Sequence, residues 1–271
     1  MTEGVFNCLI DEERTSAFSR AISNTVKKDD VVVDMGTGSG ILALLAAKAG
    51  AKKVYAVEFD KNNIDTLTNV FKVNDVDKVI SIIQGNVTEV NLPEKVDVII
   101  GEMIATALIE ELQVFATNNV LRFAKTDTKV LLKEYKTFVD LVCNNEDYYG
   151  QNFKIIRYEY PDLKKLRSVS FSDKYQVARA DLTKINEDLH VDKEVEIKIK
   201  KNGLINSVRL SGEAVFFDDS VLGATFAFNY PIILPINTTS VKIDDIFTVH
   251  LSYEICGGLQ TLKYSINKKV L

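Results

Sequence analysis

Three cysteines, Cys8, Cys143 and Cys256, are all that 271 residues contain, and they are scattered without a CxxC pair or a neighbouring histidine. Disulfide frameworks and cysteine-ligated zinc both need sulfurs at short spacing, so neither is expected, and the compartment that fits is the reducing cytoplasm. No run of about 18 apolar residues is present to span a bilayer. The opening MTEGVFNCLIDEER lacks the basic-then-apolar order of a secretory leader, so the expectation is a soluble chain with no membrane partner. Basic charge is also short: 33 Lys and Arg against 38 Asp and Glu leave a formal net charge of −5. No overall field would gather the chain on nucleic acid or an anionic membrane. The two histidines have bland settings, His250 on the outer face of an alternating strand and His190 in the charged stretch Asn186 to Lys193. Neither is expected to be catalytic, and no metal site is expected. Tryptophan is absent altogether.

Apolar material is plentiful, 46% of the chain, enough at this length for the cores of two domains. From about residue 31 to residue 134, short β-branched runs alternate with helical patterns, which is the grammar of βαβ units and a parallel sheet. The pattern predicts strands at 31–34, 54–58, 79–83, 96–100 and 130–133, and helices at 41–49, 61–73 and 107–123. Gly50 stands where a helix stop requires a glycine. After about residue 136 a period of two takes over. Phe247, Val249, Leu251, Tyr253 and Ile255 alternate with Thr248, His250, Ser252 and Glu254, predicting antiparallel strands. Cys256-Gly257-Gly258-Leu259 reads as a hairpin connection, its paired glycines accepting the positive φ of a tight turn. The run Glu194 to Lys201 reads as one solvated strand face. The expected architecture is an α/β Rossmann-like domain over residues 1–136 and an antiparallel β-barrel or sandwich over residues 137–271.

Asp34-Met35-Gly36-Thr37-Gly38-Ser39-Gly40 falls between the first strand and the first helix of that pattern. Glycines there let the backbone run close to a ligand with no Cβ in the way. The spacing is DxGxGxG with an acid in front, not the GxGxxG that seats a pyrophosphate on a helix N-terminus. An acid-led loop suits a ligand with an ammonium group and ribose hydroxyls but no phosphate. Glu58, ending the second strand, is placed to accept two hydrogen bonds from a ribose diol. A functionless glycine turn with two solvated acids does not account for the agreement of loop, strand ends and acid spacing.

The loop resembles motif I of the class I methyltransferases that use S-adenosylmethionine. Four further blocks are similar to the protein arginine N-methyltransferases over about residues 8–115. In Leu9-Ile10-Asp11-Glu12-Glu13-Arg14-Thr15 the resemblance assigns Arg14 to the cofactor carboxylate. Ala46-Ala47-Lys48-Ala49-Gly50-Ala51-Lys52-Lys53-Val54 is similar nearly letter for letter. Gly85-Asn86-Val87-Thr88-Glu89-Val90-Asn91-Leu92-Pro93 resembles the block lining the adenine, which implies contacts from Val87 and Thr88. Gly101 to Glu111 resembles the family's double-glutamate loop, which brackets a substrate guanidinium; by spacing the two acids are Glu102 and Glu111. Paired carboxylates hold a guanidinium in its own fork geometry. Glu102 has a solvated strand end as its plainer reading. Glu111, beside Glu110 in a predicted helix, reads equally as an exposed acidic face.

The chain also departs from the family. Met103 stands where an aromatic follows the first glutamate, and Thr106 replaces a tyrosine. Barely ten residues precede the Arg14 block, so the aromatic N-terminal helix that covers the cofactor is expected to be missing. The threonine-histidine-tryptophan loop has no counterpart, Asn229-Tyr230-Pro231 standing roughly in its place, and the dimerisation arm is shortened. The expectation is an S-adenosylmethionine-dependent methyltransferase, cofactor held by Arg14, Asp34, Gly36, Gly38, Gly40, Glu58, Val87 and Thr88, acting through Glu102 and Glu111 on a nitrogen of a protein or peptide substrate, arginine first. A small-molecule or other protein-atom methyltransferase, and a non-catalytic module, remain open beside it, as does the oligomeric state.

Overall fold

The computed structural model describes residues 1–161, 163 and 167–269. The first half is a parallel sheet of β1 (Val31–Met35), β2 (Lys53–Glu58), β3 (Ile80–Gln84), β4 (Val96–Gly101) and β5 (Ala124–Val130) in the order β3-β2-β1-β4-β5. β1 is buried along its whole length. Strands covered on both faces need continuous apolar runs, and Val31, Val32 and Val33 supply one. Chain order reverses at β1, between β2 and β4, and such a switch point opens a crevice beyond the carboxyl ends of the strands. The glycine loop and Glu102 both emerge there.

Around the sheet lie α1 (Glu3–Ile10), α2 (Glu12–Thr25), α3 (Ile41–Lys48), α4 (Ile64–Val73) and α5 (Gln113–Leu121). α2 starts at Asp11, whose carboxylate accepts the Arg14 amide at 3.0 Å. Its inward face carries Ala17, Phe18, Ala21 and Ile22 at helical spacing. α1 supplies a helix at the N-terminus where none was expected. Thr2 caps it, and the Asp11 that ends it begins α2.

Two sequence expectations fail in the chain that follows β4. The helix expected over 107–123 is a single 3-10 turn at Thr106–Leu108, an irregular passage, and then α5. Ala107 and Leu108 take φ of 62° and 55°, left-handed values that non-glycine residues adopt only under constraint. The constraint is tertiary: the Tyr135 hydroxyl takes the Ala107 amide at 3.0 Å, and the Cys256 and Gly258 amides donate to the carbonyls of Leu108 and Ile109 at 2.8 and 2.6 Å. The fifth parallel strand lies earlier than 130–133, pairing Val98 with Lys129 and Ile99 with Val130. Only Leu131 then separates it from β6 (Leu132–Cys143), which is antiparallel to its neighbours. Residue 136 thus lies inside β6, a few residues past the change of pairing.

Among the described residues the second half holds two larger antiparallel sheets and a two-stranded one, Asp147–Tyr148 against Gln151–Asn152. In one of the larger pair, β6 lies beside Gly203–Phe216, which pairs with Ile232–Val241. The other sets His190–Lys198 against Ile246–Glu254 and Lys263–Lys268. Leu141, Val208 and Leu234 from one meet Ile197, Val249 and Leu251 from the other in a shared core, the sandwich arrangement. The hairpin after Glu254 puts its positive φ on Cys256 and Gly258 rather than on both glycines. Among the described residues no helix is long and apolar enough to cross a membrane, and no cluster of His, Cys, Asp or Glu is set to hold a metal.

Candidate active site

Two adjoining chambers occupy the crevice, about 490 and 530 Å³, sharing Thr2, Val5, Gly36, Gly38 and Met103 along their common wall. The first holds Glu58, Phe59, Asn63, Asn86 and Val87; the second holds Arg14, Glu102, Glu111 and Tyr230.

The loop between β1 and α3 is cut to fit the first chamber. Gly36 and Gly38 have φ of 64° and 55°, where a side chain is strained. A Cβ on Gly36 would lie 2.9 Å from Met103 Sδ, and one on Gly38 would lie 3.3 Å from Val5. α1 thus rests Val5 directly over the loop and acts as its cover. Glu58 is oriented before any ligand arrives: one carboxylate oxygen accepts the Gly38 amide at 3.0 Å, the other the Asp60 amide at 2.8 Å. Asn63 donates to the Gly38 carbonyl at 2.6 Å and leaves its own buried Oδ1 without a partner.

Four residues assigned to the cofactor from sequence do not line this chamber: Arg14, which lies in the second chamber, and Asp34, Gly40 and Thr88. Asp34 is fully buried beneath the loop, accepting the Thr37 hydroxyl at 2.6 Å and the Ala43 amide at 3.1 Å, so it shapes the loop from behind. Burial pushes its carboxyl up to about 6, against the hydrogen bonds from Thr37 and Ala43. Gly40 leaves room for packing, because a Cβ there would meet Phe71 and Leu67 at 2.8 and 2.9 Å. Thr88 lines an outer groove with Glu89 and Phe115, and its amide goes to Asn86 Oδ1 at 3.1 Å. Asn86 and Asn63 line the chamber instead. Asn63 carried little sequence signal, since a polar residue after a strand is ordinarily solvated; here it is 3% exposed.

The second chamber brings Arg14, Glu102 and Glu111 together. Arg14 is already engaged: Nε and Nη2 donate to Glu102 Oε2 at 2.8 and 2.5 Å, with both side chains less than a tenth exposed. The other Glu102 oxygen accepts the Ile104 amide at 2.8 Å. Burial opposes the charge on Arg14, but attraction and hydrogen bonding from Glu102 help raise its pKa all the same. Glu111 sits on the irregular passage, not on a helix face; it is exposed and lines the second chamber. Crowding by protein and then the like charges of Glu102 and Glu110 push its carboxyl up to about 7, with Arg14 pulling the other way.

The second half closes this chamber. Asp11 accepts the Thr225 hydroxyl at 2.5 Å and the Ala227 amide at 2.7 Å, fastening the α1–α2 joint to the loop that presents Tyr230. The Thr106 hydroxyl donates to the Tyr230 carbonyl at 2.5 Å. His190 and His250 pair with Glu254 and Asp192 at 2.6 and 2.7 Å and line neither chamber.

Comparison with known proteins bears on the family and the fold. The profile of the ribosomal protein L11 methyltransferase (PrmA) family matches residues 13–132. Protein arginine N-methyltransferase PRMT10 of rice (japonica) is 44% identical over 105 residues, covering 38% of this chain and 27% of that protein. The chain therefore spans little more than a quarter of that relative's length. A solved structure titled as the Trypanosoma brucei PRMT1 enzyme-prozyme heterotetrameric complex with AdoHcy superposes with a TM-score of 0.78 at 19% identity, covering 97% of this chain and 96% of that one; at that identity the likeness speaks for the fold. Residues 13–132 in sequence, and the whole chain in fold, are similar to the class I S-adenosylmethionine-dependent methyltransferases. The chain belongs to the family that includes "Uncharacterized protein MJ1452" of Methanocaldococcus jannaschii, to which it is 34% identical over 266 residues, 96% of this chain and 95% of the other.

The first chamber fits S-adenosylmethionine on its own chemistry: a held carboxylate, a spare buried carbonyl oxygen, apolar walls from Val57 and Val87, and a glycine cradle with no phosphate-binding pattern. Glu58→Ala is expected to weaken cofactor binding by roughly 1–3 kcal/mol, since the Gly38 and Asp60 amides lose their acceptor. Calorimetric titration checks this, and unchanged affinity would remove Glu58 from the site.

Proposed function

We propose that the chain N-methylates the guanidinium of a protein or peptide arginine, with residues 1–136 holding the cofactor and residues 137–271 shaping the acceptor's surroundings. The observation that carries the reading is the convergence of Glu102 and Glu111 in one chamber beside the glycine loop. S-adenosylmethionine supplies an electrophilic methyl on a positively charged sulfur. Glu102 and Glu111 orient the acceptor guanidinium and localise its charge, leaving one nitrogen aimed along the shared wall at Gly36 and Gly38. Arg14 steadies Glu102 and keeps a cation at the cofactor end. Glu111, with its carboxyl near 7, is matched to take the proton that the methylated nitrogen must shed.

Incubation with radiolabelled S-adenosylmethionine, a basic peptide mixture, a cell lysate and small-molecule pools tests the assignment. Methylarginine in the hydrolysate is expected; label confined to another atom or a small molecule overturns it. The pH dependence follows from Glu111. Its folded pKa is raised, so the carboxylate form is lost as pH falls through about 7. Peptide binding and transfer are expected to rise between pH 6 and 8 and then level off, and a flat profile in Glu111→Gln would assign the rise to that residue.

A further inference from the structure

At the edge of the acceptor chamber Tyr230 packs against two further tyrosines, Tyr158 and Tyr160. The short strand Arg157–Tyr158 pairs with Ile232–Ile233 and so delivers Tyr158 and Tyr160 beside Tyr230. Tyr230 lines the chamber with Glu102 and Glu111. Its ring centroid lies 4.8 Å from that of Tyr160 and 6.3 Å from that of Tyr158, at interplanar angles of 61° and 65°. Two of the rings are fixed at their hydroxyls, Tyr158 on the Glu110 carboxylate and Tyr230 on the Phe226 carbonyl. Tyr160 is 43% exposed. Glu110 and Glu111 stand beside this cluster, close enough that both raise the Tyr158 pKa.

Neither the cofactor chamber nor a guanidinium clamp requires these rings. Preset aromatic faces next to two carboxylates suit an organic cation, whose charge meets the ring faces while its hydrogens meet the acids. The chain's net charge of −5 adds to the attraction. We propose that Tyr158, Tyr160 and Tyr230 with Glu110 form a second cation subsite that takes the basic side chain of a residue near the acceptor arginine. The preferred substrate is then a polypeptide segment with two basic residues close together. This rests on the arginine reading of the chamber.

The test uses the full chain saturated with S-adenosylhomocysteine and fluorescent peptides that differ only in one residue flanking the arginine, lysine in one and glutamine in the other. Wild type is expected to bind the lysine peptide about fivefold more tightly, the order of one partly exposed cation–π contact. Tyr160→Ala is expected to abolish that preference while leaving the glutamine peptide's affinity and the thermal midpoint in place. Tyr160→Phe is expected to keep the preference. Tyr160→Leu, which retains apolar bulk but no ring, is expected to lose it and covers the case of an alanine variant that folds poorly. Equal affinities in wild type, or a preference that survives both ring removals, would overturn the subsite. A third peptide, with the acceptor arginine replaced by glutamine, separates the two readings. If it binds as tightly as its parent, the arginine assignment of the chamber fails, whatever the flanking pair shows.

Discussion

Glu111→Gln is expected to slow methyl transfer to an arginine peptide by about two to three orders of magnitude, roughly 3–4 kcal/mol, while cofactor affinity stays within about twofold. The two effects separate because Glu111 lines the second chamber and not the first, which holds Glu58. An amide of the same size keeps the packing but cannot pair with a guanidinium as a carboxylate does, nor hold its proton. Glu102→Gln is expected to behave differently. Its carboxylate carries both hydrogen bonds from Arg14 at less than a tenth exposure, and a partner removed from a buried pair leaves an uncompensated charge. Cofactor affinity and the unfolding midpoint are therefore expected to fall along with the rate. Rates, calorimetric affinities and denaturation midpoints for both variants check this. A Glu111→Gln rate within about twofold of wild type, about 0.4 kcal/mol, would dismantle the paired-carboxylate clamp.

The cofactor chamber was more legible in sequence than the acceptor loop, and the reason is local versus distant causation. Gly36, Gly38 and Gly40 adopt φ of 64°, 55° and 80°, conformations that only glycine reaches without strain, so the chain must write them in its letters. The passage from Ala107 to Leu112 carries no such mark. Its residues favour helix, and they are pulled from it by Tyr135, Cys256 and Gly258, groups far along the chain. Glu111 consequently lies at the mouth of the second chamber rather than on a helix face. β5 was misplaced for another reason: its AKTDTKV sequence is an exposed edge strand with little apolar content, so the apolar run at 130–132 drew the prediction forward. α1 buries no residue fully, which leaves its caps, Thr2 and Asp11, as the only sequence signs of a cover over the chamber.

Gly212→Ala tests whether the acceptor loop is held by this distant framework, and a loss of about 3 kcal/mol or more in unfolding free energy is expected. Gly212 faces Thr137 across the β6 pairing, and the ring of Tyr135, two residues earlier on β6, lies over the glycine. An added Cβ would sit 1.7 Å from the Tyr135 hydroxyl oxygen and 2.3 Å from its ring carbon, so the ring must leave. Tyr135 is 1% exposed. Its hydroxyl accepts the Ala107 amide at 3.0 Å and donates to Asn229 Oδ1 at 2.6 Å, while Asn229 donates back to the Gly212 carbonyl at 2.7 Å. Overpacking alone costs about 1–3 kcal/mol, and each buried group left unpaired adds about 1–3 kcal/mol. The same displacement frees both the strained Ala107 and the turn before Tyr230, so transfer is expected to fall further than stability predicts, with cofactor affinity nearly unchanged. Tyr135→Ala vacates the space that the new methyl needs. Gly212→Ala placed on that background is therefore expected to cost under about 1 kcal/mol, a strongly non-additive pair. Denaturant unfolding of the two single variants and the double variant gives the coupling directly. Additive losses would show that the ring over Gly212 is not what holds the loop that carries Glu111.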